Sequence, residues 1–231
     1  MPRVSLVLLT WNEIEGLRHH LPILKDFARL GVDEIFAVDG GSTDGSLELY
    51  AQHGIRVLQQ RSRGRGEAMR FAAENAKSDY IVFFSPDGNE NWQDIPKFKS
   101  FFDGQTDLVI ASRMMKGARN EEDIHLLRWR KWANNAFNLL ANLFFRRIGQ
   151  YVTDSINGFR GVRRTLLQEL QLDAVGYTIE YQMTIRSFKM KKVIVEFPTQ
   201  EGQRIGGETK APSIPTGLRF LKCLWQELCT R

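Results

Sequence analysis

Val4-Ser5-Leu6-Val7-Leu8-Leu9 is a nearly unbroken apolar run closed by Thr10-Trp11-Asn12-Glu13. A short run bounded in this way reads as a strand buried on both faces. From Glu13 to Leu30, Leu17, Leu21, Leu24, Phe27 and Ala28 recur at helical spacing, and Gly31 stops the helix. The same unit then repeats. Glu34 to Val38 is a strand, and Asp44 opens a helix through Leu47 and Tyr50 that closes near Gly54. Ile55 to Leu58, Asp79 to Phe84 and Asp107 to Ala111 are strands, separated by helices at Glu67 to Ala76 and Asp94 to Phe102. Repeated β-α units of this length predict an α/β fold with a doubly wound, mostly parallel sheet and helices on both faces. Ligands of such sheets bind at the carboxyl ends of the strands.

The second half breaks this rhythm. Leu126 to Ile148 predicts one long helix with an apolar stripe of Leu126, Trp129, Ala133, Phe137, Leu140 and Phe144. It carries Arg128, Arg130, Lys131, Arg146 and Arg147 and no acidic residue. Arg163 to Leu170 and Glu180 to Lys189 are helical in pattern, Lys192 to Phe197 is a strand, and Gly202 to Pro215 is a loop. Leu218 to Leu228 closes the chain as an amphipathic helix. No repeat or Ser/Pro-rich linker divides the chain, so residues 1–231 are expected to form a single domain.

Composition narrows the function classes. The chain has 231 residues, 42% hydrophobic and 26% charged, which excludes wholesale disorder. Its two cysteines, Cys223 and Cys229, lack metal-ligand spacing and exclude a disulfide scaffold. The net charge of +5 suits phosphorylated ligands, anionic membrane surfaces or nucleic acid. No stretch reaches the ~20 apolar residues of a spanning helix, and Val4 to Leu9 lacks the basic leader of a signal peptide. The expected location is cytoplasmic, peripherally on the cytoplasmic face of a membrane.

Three strand ends carry candidate chemistry. Thr10, Trp11 and Glu13 follow the first strand. After the second come Asp39-Gly40-Gly41-Ser42-Thr43-Asp44, where Asp39 can accept hydrogen bonds from a base or ribose. The spacing is neither GxGxxG nor a P-loop, and an ordinary turn with Ser42 or Asp44 as helix cap has the same composition. The strong strand ends in Ser85-Pro86-Asp87-Gly88-Asn89, where Asp87 and Asn89 offer hard oxygen ligands suited to Mg2+ or Mn2+. A plain Pro-Asp-Gly turn would look the same.

Taken together, these stretches and four others follow a known order. Gly64-Arg65-Gly66-Glu67-Ala68, Ala111-Ser112-Arg113, Asp154-Ser155-Ile156-Asn157-Gly158-Phe159-Arg160 and Arg204 to Lys210 complete it. Over nearly its whole length the chain resembles family 2 glycosyltransferases of the GT-A fold, in the branch of dolichyl- or polyprenyl-phosphate mannose synthases. The resemblance implies a nucleotide-sugar donor, a divalent metal and transfer with inversion at the anomeric carbon. Residues 1–115 would form the nucleotide-sugar half and 116–231 the acceptor half. Thr10, Trp11, Glu13, Asp39, Gly66 and Ser85 would line the nucleotide pocket, Gly66 by letting the chain pass close to it. Asp87, with Asn89, would hold the metal, and Arg113, Arg130, Arg204 and Lys210 would surround the donor diphosphate and acceptor phosphate. The departures are Ser85 for the first Asp of the family's Asp-x-Asp, Gly40 for a second family Asp, and Glu180-Tyr181-Gln182 for Gln-x-Glu. Glu180 and Gln182 are carried over as candidates.

A lipid monophosphate is largely dianionic at pH 7, so it needs charge neutralisation rather than a strong base. The site should therefore be rich in arginine, and none of His19, His20, His53 and His125 falls in a matched motif. A hydroxyl acceptor would call for a carboxylate base, for which Asp154 is the candidate; as a helix or turn cap it would have no such role. The expected catalytic residues are thus Asp87, Arg113 and Asp154. The basic helix at 126–148 and the C-terminal helix, with Arg219, Phe220, Leu221, Lys222, Leu224 and Trp225, suit a membrane interface, core packing or a homodimer face. The expected activity is hexose transfer, of mannose or glucose, from GDP- or UDP-sugar to polyprenyl phosphate. The alternatives are a saccharide or protein hydroxyl acceptor and a non-catalytic sugar-nucleotide binder. Nucleic acid is not expected as a partner, because the basic residues lie in the matched loops rather than among aromatic platforms. A membrane protein partner would be compatible with all of this.

Overall fold

The computed structural model describes residues 2–24, 26, 28–124, 129–206 and 213–230. Seven strands form one sheet: β1 (Val4–Thr10), β2 (Glu34–Asp39), β3 (Arg56–Gln59), β4 (Tyr80–Phe84), β5 (Leu108–Ser112), β6 (Arg160–Arg163) and β7 (Ile194–Pro198). Their order is β3-β2-β1-β4-β6-β5-β7. The strands β3, β2, β1 and β4 run parallel, as does the β5–β7 pair, while β6 is antiparallel to both of its neighbours.

The side-chain period of two sorts β1 between two cores. Leu6 and Leu8 face one layer with Leu17, Leu21 and Leu24 of α1 (Ile14–Leu24), Tyr50 of α2 (Ser46–Gln52) and Phe98 of α4 (Ile95–Phe101). Val7 and Leu9 face the other, with Ala68, Met69 and Ala72 of α3 (Arg65–Asn75). That second layer is completed by α5 (Trp129–Phe145), α6 (Arg164–Glu169), α7 (Ile179–Lys189) and α8 (Ser213–Cys229).

Three expectations need correction. First, α1 ends at Leu24 rather than Leu30, where the chain passes into turns closed by Gly31 at φ 70°. Second, β6 was not legible. It is four residues with arginine at each end, and its pairing comes from the two strands that flank it.

Third, α5 buries only part of its apolar stripe: Phe137 and Leu140 pack partly buried against the core. Trp129 and Phe144 are exposed, while Asn138, Ala141, Asn142 and Phe145 point inward. The two asparagines are inside because they bind backbone. Asn142 Nδ2 donates to Val152 O (2.8 Å) and its Oδ1 accepts from Val152 N (2.9 Å). Asn138 Nδ2 donates to Thr153 O (2.6 Å), and its Oδ1 accepts from the backbone N and the hydroxyl of Ser155. Buried amides so paired fasten the 152–155 segment to α5. Leu126 and Arg128 lie outside the described residues, as does Lys210.

Candidate active site

At the carboxyl ends of β1, β2 and β4 lies a cavity of about 550 Å³. Its wall includes Thr10, Trp11, Glu13, Ser85, Asp87, Asn89, Arg130 and Arg204, eight of the residues expected from the sequence. The β4–α4 loop reaches this wall because α1 packs hard against it. A Cβ on Gly16 would lie 1.8 Å from Pro86 O, so only glycine permits that approach.

Charge in the cavity is dense and paired. Arg204 donates from Nη1 to Asp87 Oδ2 (2.8 Å) and from Nη2 to both oxygens of Glu13 (2.6 Å each). Burial pushes the Asp87 carboxyl up, and the Arg204 charge opposes that shift. Glu90 accepts from Ser85 N at 2.7 Å, and burial lifts its pKa to about 8 against the pull of Arg65. Arg130 faces Glu121 and Glu122 at 3.6 and 3.9 Å.

These groups fit a divalent ion only in a particular way. Among the described residues no cluster of three or more acidic, histidine or cysteine side chains could hold a metal. A guanidinium already bridges Asp87 and Glu13, so the position suits a cation. Asn89 donates its amide hydrogens to Glu121 (2.8 Å) and Gly202 O (3.4 Å), which leaves its carbonyl oxygen as a possible ligand. The residues fit Mg2+ or Mn2+ held by one carboxylate with the remaining ligands from a diphosphate, a common mode for Mg2+.

The other expected residues take different places. Asp39 is fully buried and accepts from Gly41 N, Ser42 N and Ser42 Oγ (2.8, 2.8 and 2.5 Å), so it shapes the loop rather than facing the cavity. Gly66 makes its close approach to the chain itself: its N donates to Val175 O, and a Cβ would lie 1.9 Å from Ala174 O. Asp154 is fully buried, and both its oxygens accept from Arg113 (2.8 and 3.0 Å). It therefore holds an arginine and is not presented to an acceptor as a base. Arg113, paired also with Glu201 (3.2 Å), lines a second cavity. Gln182 caps Asp173 N and Ala174 N and donates to Glu227, a structural role.

The second cavity, about 250 Å³, runs between α5 and α8 past Trp129, Ala133, Phe137, Gly217 and Phe220. Arg65, Arg130 and Tyr177 line both cavities, so the two meet. Arg63 and Arg65 line the first cavity and were left without a role by the sequence reading, and Arg219, expected only on the surface of the C-terminal helix, lines it too. Arg63 stacks over Trp11 at 4.6 Å. The signal was present in the alternation Arg61-Ser62-Arg63-Gly64-Arg65-Gly66, a basic, glycine-rich loop after β3.

Behind the site, Glu196 accepts from Thr153 N (2.7 Å), Thr153 Oγ1 (3.0 Å) and Asp154 N (2.9 Å). Burial nevertheless raises its pKa from 4.5 to about 7. Between those values the folded chain keeps a proton that the unfolded chain has released. The Glu196 contribution is therefore complete below pH 4.5 and is lost as pH rises to about 7. Thermal melts of wild type and Glu196→Gln across this range should show a flatter pH dependence in the variant. Equal slopes would remove Glu196 as the source.

A family model described as "Glycosyl transferase family 2" matches residues 5–171. The chain belongs to glycosyl transferase family 2. The transferase is 29% identical over 224 residues to an undecaprenyl-phosphate mannosyltransferase of Micrococcus luteus, covering 90% of this chain and 87% of the relative. It is 29% identical to a dolichyl-phosphate hexose transferase of Haloferax volcanii, covering 96% and 92%. It spans only 58% of glycosyltransferase AglJ from the same organism, at 28% identity over 80% of this chain. Among solved structures, glucosyl-3-phosphoglycerate synthase of Mycobacterium tuberculosis, crystallised with Mn2+, UDP-glucose and phosphoglyceric acid, superposes with a TM-score of 0.71. That match covers 100% of this chain and 81% of the synthase at 23% identity, and it shows the GT-A fold.

Proposed function

We propose that this transferase moves a hexose, mannose or glucose, from a GDP- or UDP-sugar to a polyprenyl or dolichyl phosphate, with inversion at the anomeric carbon. The observation that carries the reading is the junction of the two cavities. An arginine-lined chamber with Asp87 in its wall opens into a groove between two helices whose outward faces are apolar. Trp132, Leu139 and Leu143 on α5 and Leu218, Leu221 and Trp225 on α8 are each more than half exposed. Arg146, Arg147, Arg219 and Lys222 are exposed on or beside the same helices. Such a surface suits the interface of an anionic membrane, with the groove mouth near the lipid heads. Among the described residues no helix is long and apolar enough to cross a membrane. The names of the Micrococcus and Haloferax relatives point to the same acceptor class.

The chemistry follows from charge. The 1–115 half supplies most of the donor chamber, including Trp11 with Arg63 stacked on its ring. An oxygen of the lipid phosphate attacks the anomeric carbon. The bond from that carbon to the donor's β-phosphate oxygen breaks, and its electron pair leaves on the nucleoside diphosphate. The phosphate nucleophile is already anionic, so no proton need be removed. The arginines at the junction lower the repulsion between two anions. A divalent ion at Asp87 would neutralise charge growing on the departing diphosphate.

The test offers labelled GDP-mannose, UDP-glucose and UDP-N-acetylglucosamine in turn, with a short polyprenyl phosphate and Mn2+, Mg2+ or chelator. Metal-dependent label in the organic phase with one hexose donor is the expected result. Saturable nucleotide-sugar binding without organic label would move the acceptor to a hydroxyl or make the chain a binder.

A further inference from the structure

Arg65 stands apart from the other cations of the site in its tether. Like Arg130, it lines both cavities, at the point where they meet. Its Nε donates to Glu180 Oε1, and its Nη1 donates to Ser85 Oγ at 3.0 Å. The Glu180 side chain is 2% exposed, and its other oxygen is buried with no hydrogen-bond partner among the described residues. Arg65 is the only ion-pair partner of Glu180 among them. Burial opposes the Arg65 charge, but Glu180 and Glu90 together keep the guanidinium firmly protonated.

Two of the neighbouring arginines are more fully engaged. Arg204 is shared by two carboxylates, Glu13 and Asp87, and Arg113 by Asp154 and Glu201. Arg65 has one ion-paired carboxylate, set in the protein behind it, and Glu90 acts on it without an ion pair. Its second contact is a hydroxyl, which accepts a hydrogen bond without cancelling charge, as a carboxylate at residue 85 would. A guanidinium carries five donors in a fixed fork. Two are used here, and Nη2 makes no bond to another described residue.

We propose that Arg65 is the fixed protein cation that receives the diphosphate of the donor, and that buried Glu180 is the residue that positions it. The assignment rests on the nucleotide-sugar reading given above. A cation held in place before the ligand arrives loses little in ordering itself, which is what favours transition-state charge stabilisation. Ser85 belongs to the same unit, since it fixes the Nη1 edge of the fork. On this assignment the chain recognises a diphosphate even without a metal.

Binding without turnover tests this. Calorimetric titrations with UMP, UDP, GMP and GDP are run in chelator on wild type, Arg65→Gln, Arg65→Lys and Glu180→Gln, each checked for fold by circular dichroism. Wild type should bind the preferred diphosphate at least about tenfold more tightly than its monophosphate, the scale of a charged hydrogen-bonded contact. Arg65→Gln should lose most of that ratio while keeping its monophosphate affinity. Glu180→Gln, which retains the cation but loosens it, should fall between the two. Should Arg65→Gln not fold, Arg65→Lys carries the test, because its single ammonium should lower the ratio at least about threefold.

A wild-type ratio in the Arg65 variants overturns the assignment. An unchanged ratio in Glu180→Gln alone overturns the positioning role. Wild type that binds none of the four nucleotides in chelator overturns this assignment; the same titrations with Mn2+ then decide the nucleotide-sugar reading, which binding keeps and its absence overturns.

Discussion

Asp87→Asn is expected to lower transfer by about a thousandfold, with monophosphate affinity kept within a few-fold. Asp87 sits at the end of a fully buried strand, in a loop pinned by Gly16 below it and by the Asp87 O to Ile205 N bond above it. It is the carboxylate of the cavity best placed to hold a divalent ion. The amide keeps the shape and a hydrogen bond to Asn89 N, but it removes the charge. Arg204 would remain paired with Glu13, so the loop should stay in place. Burial also disfavours the Asp87 charge, so the variant should be no less stable than wild type. Steady-state transfer with matched thermal melts checks both halves. A loss below about tenfold, in a folded variant, would take Asp87 out of the reaction.

Arg160→Met is expected to cost about 3–5 kcal/mol of folding stability, a large share of what a domain of this size has. Arg160 is the largest fully buried side chain of the molecule as described. It donates to Asn157 O from both Nε (2.8 Å) and Nη2 (2.5 Å), and from Nη1 to Glu180 O (2.9 Å). Burial lowers its pKa to about 10, still well above neutrality. The arginine therefore ties the 155–157 loop to the start of α7, which carries Glu180. Methionine fills similar volume but leaves those carbonyls without their donor. Urea unfolding would measure the loss, and a change below about 1 kcal/mol would show that the loop is held by Asn138 and Asn142 instead.

The parts of this molecule that were legible in the sequence are those governed by local pattern. Strands β1 to β5 announced themselves because each is a short apolar run between turn residues. Thr10, Trp11, Ser85 and Asp87 could be picked out because they close such strands at the sheet edge where the cavity lies. What escaped was decided by tertiary contact. The strand β6 has no pattern of its own. The inward face of α5 includes two asparagines because Asn138 and Asn142 pair with a loop ten to seventeen residues further on. Asp39 and Asp154 carry the right chemistry for a ligand, yet each is consumed by partners that only the fold brings near. Arg65 was quoted within its motif, but its meaning depends on Glu180, 115 residues away.

The most direct measurement compares two acceptors that differ in one group. Labelled sugar from the preferred nucleotide donor is offered to a polyprenyl phosphate and to the polyprenol of the same chain length, in detergent with metal. The charge-neutralising site described above predicts transfer to the phosphate and at least about a hundredfold less to the alcohol, which has no anion for the arginines and must first lose a proton. Equal or preferred transfer to the alcohol would contradict the account.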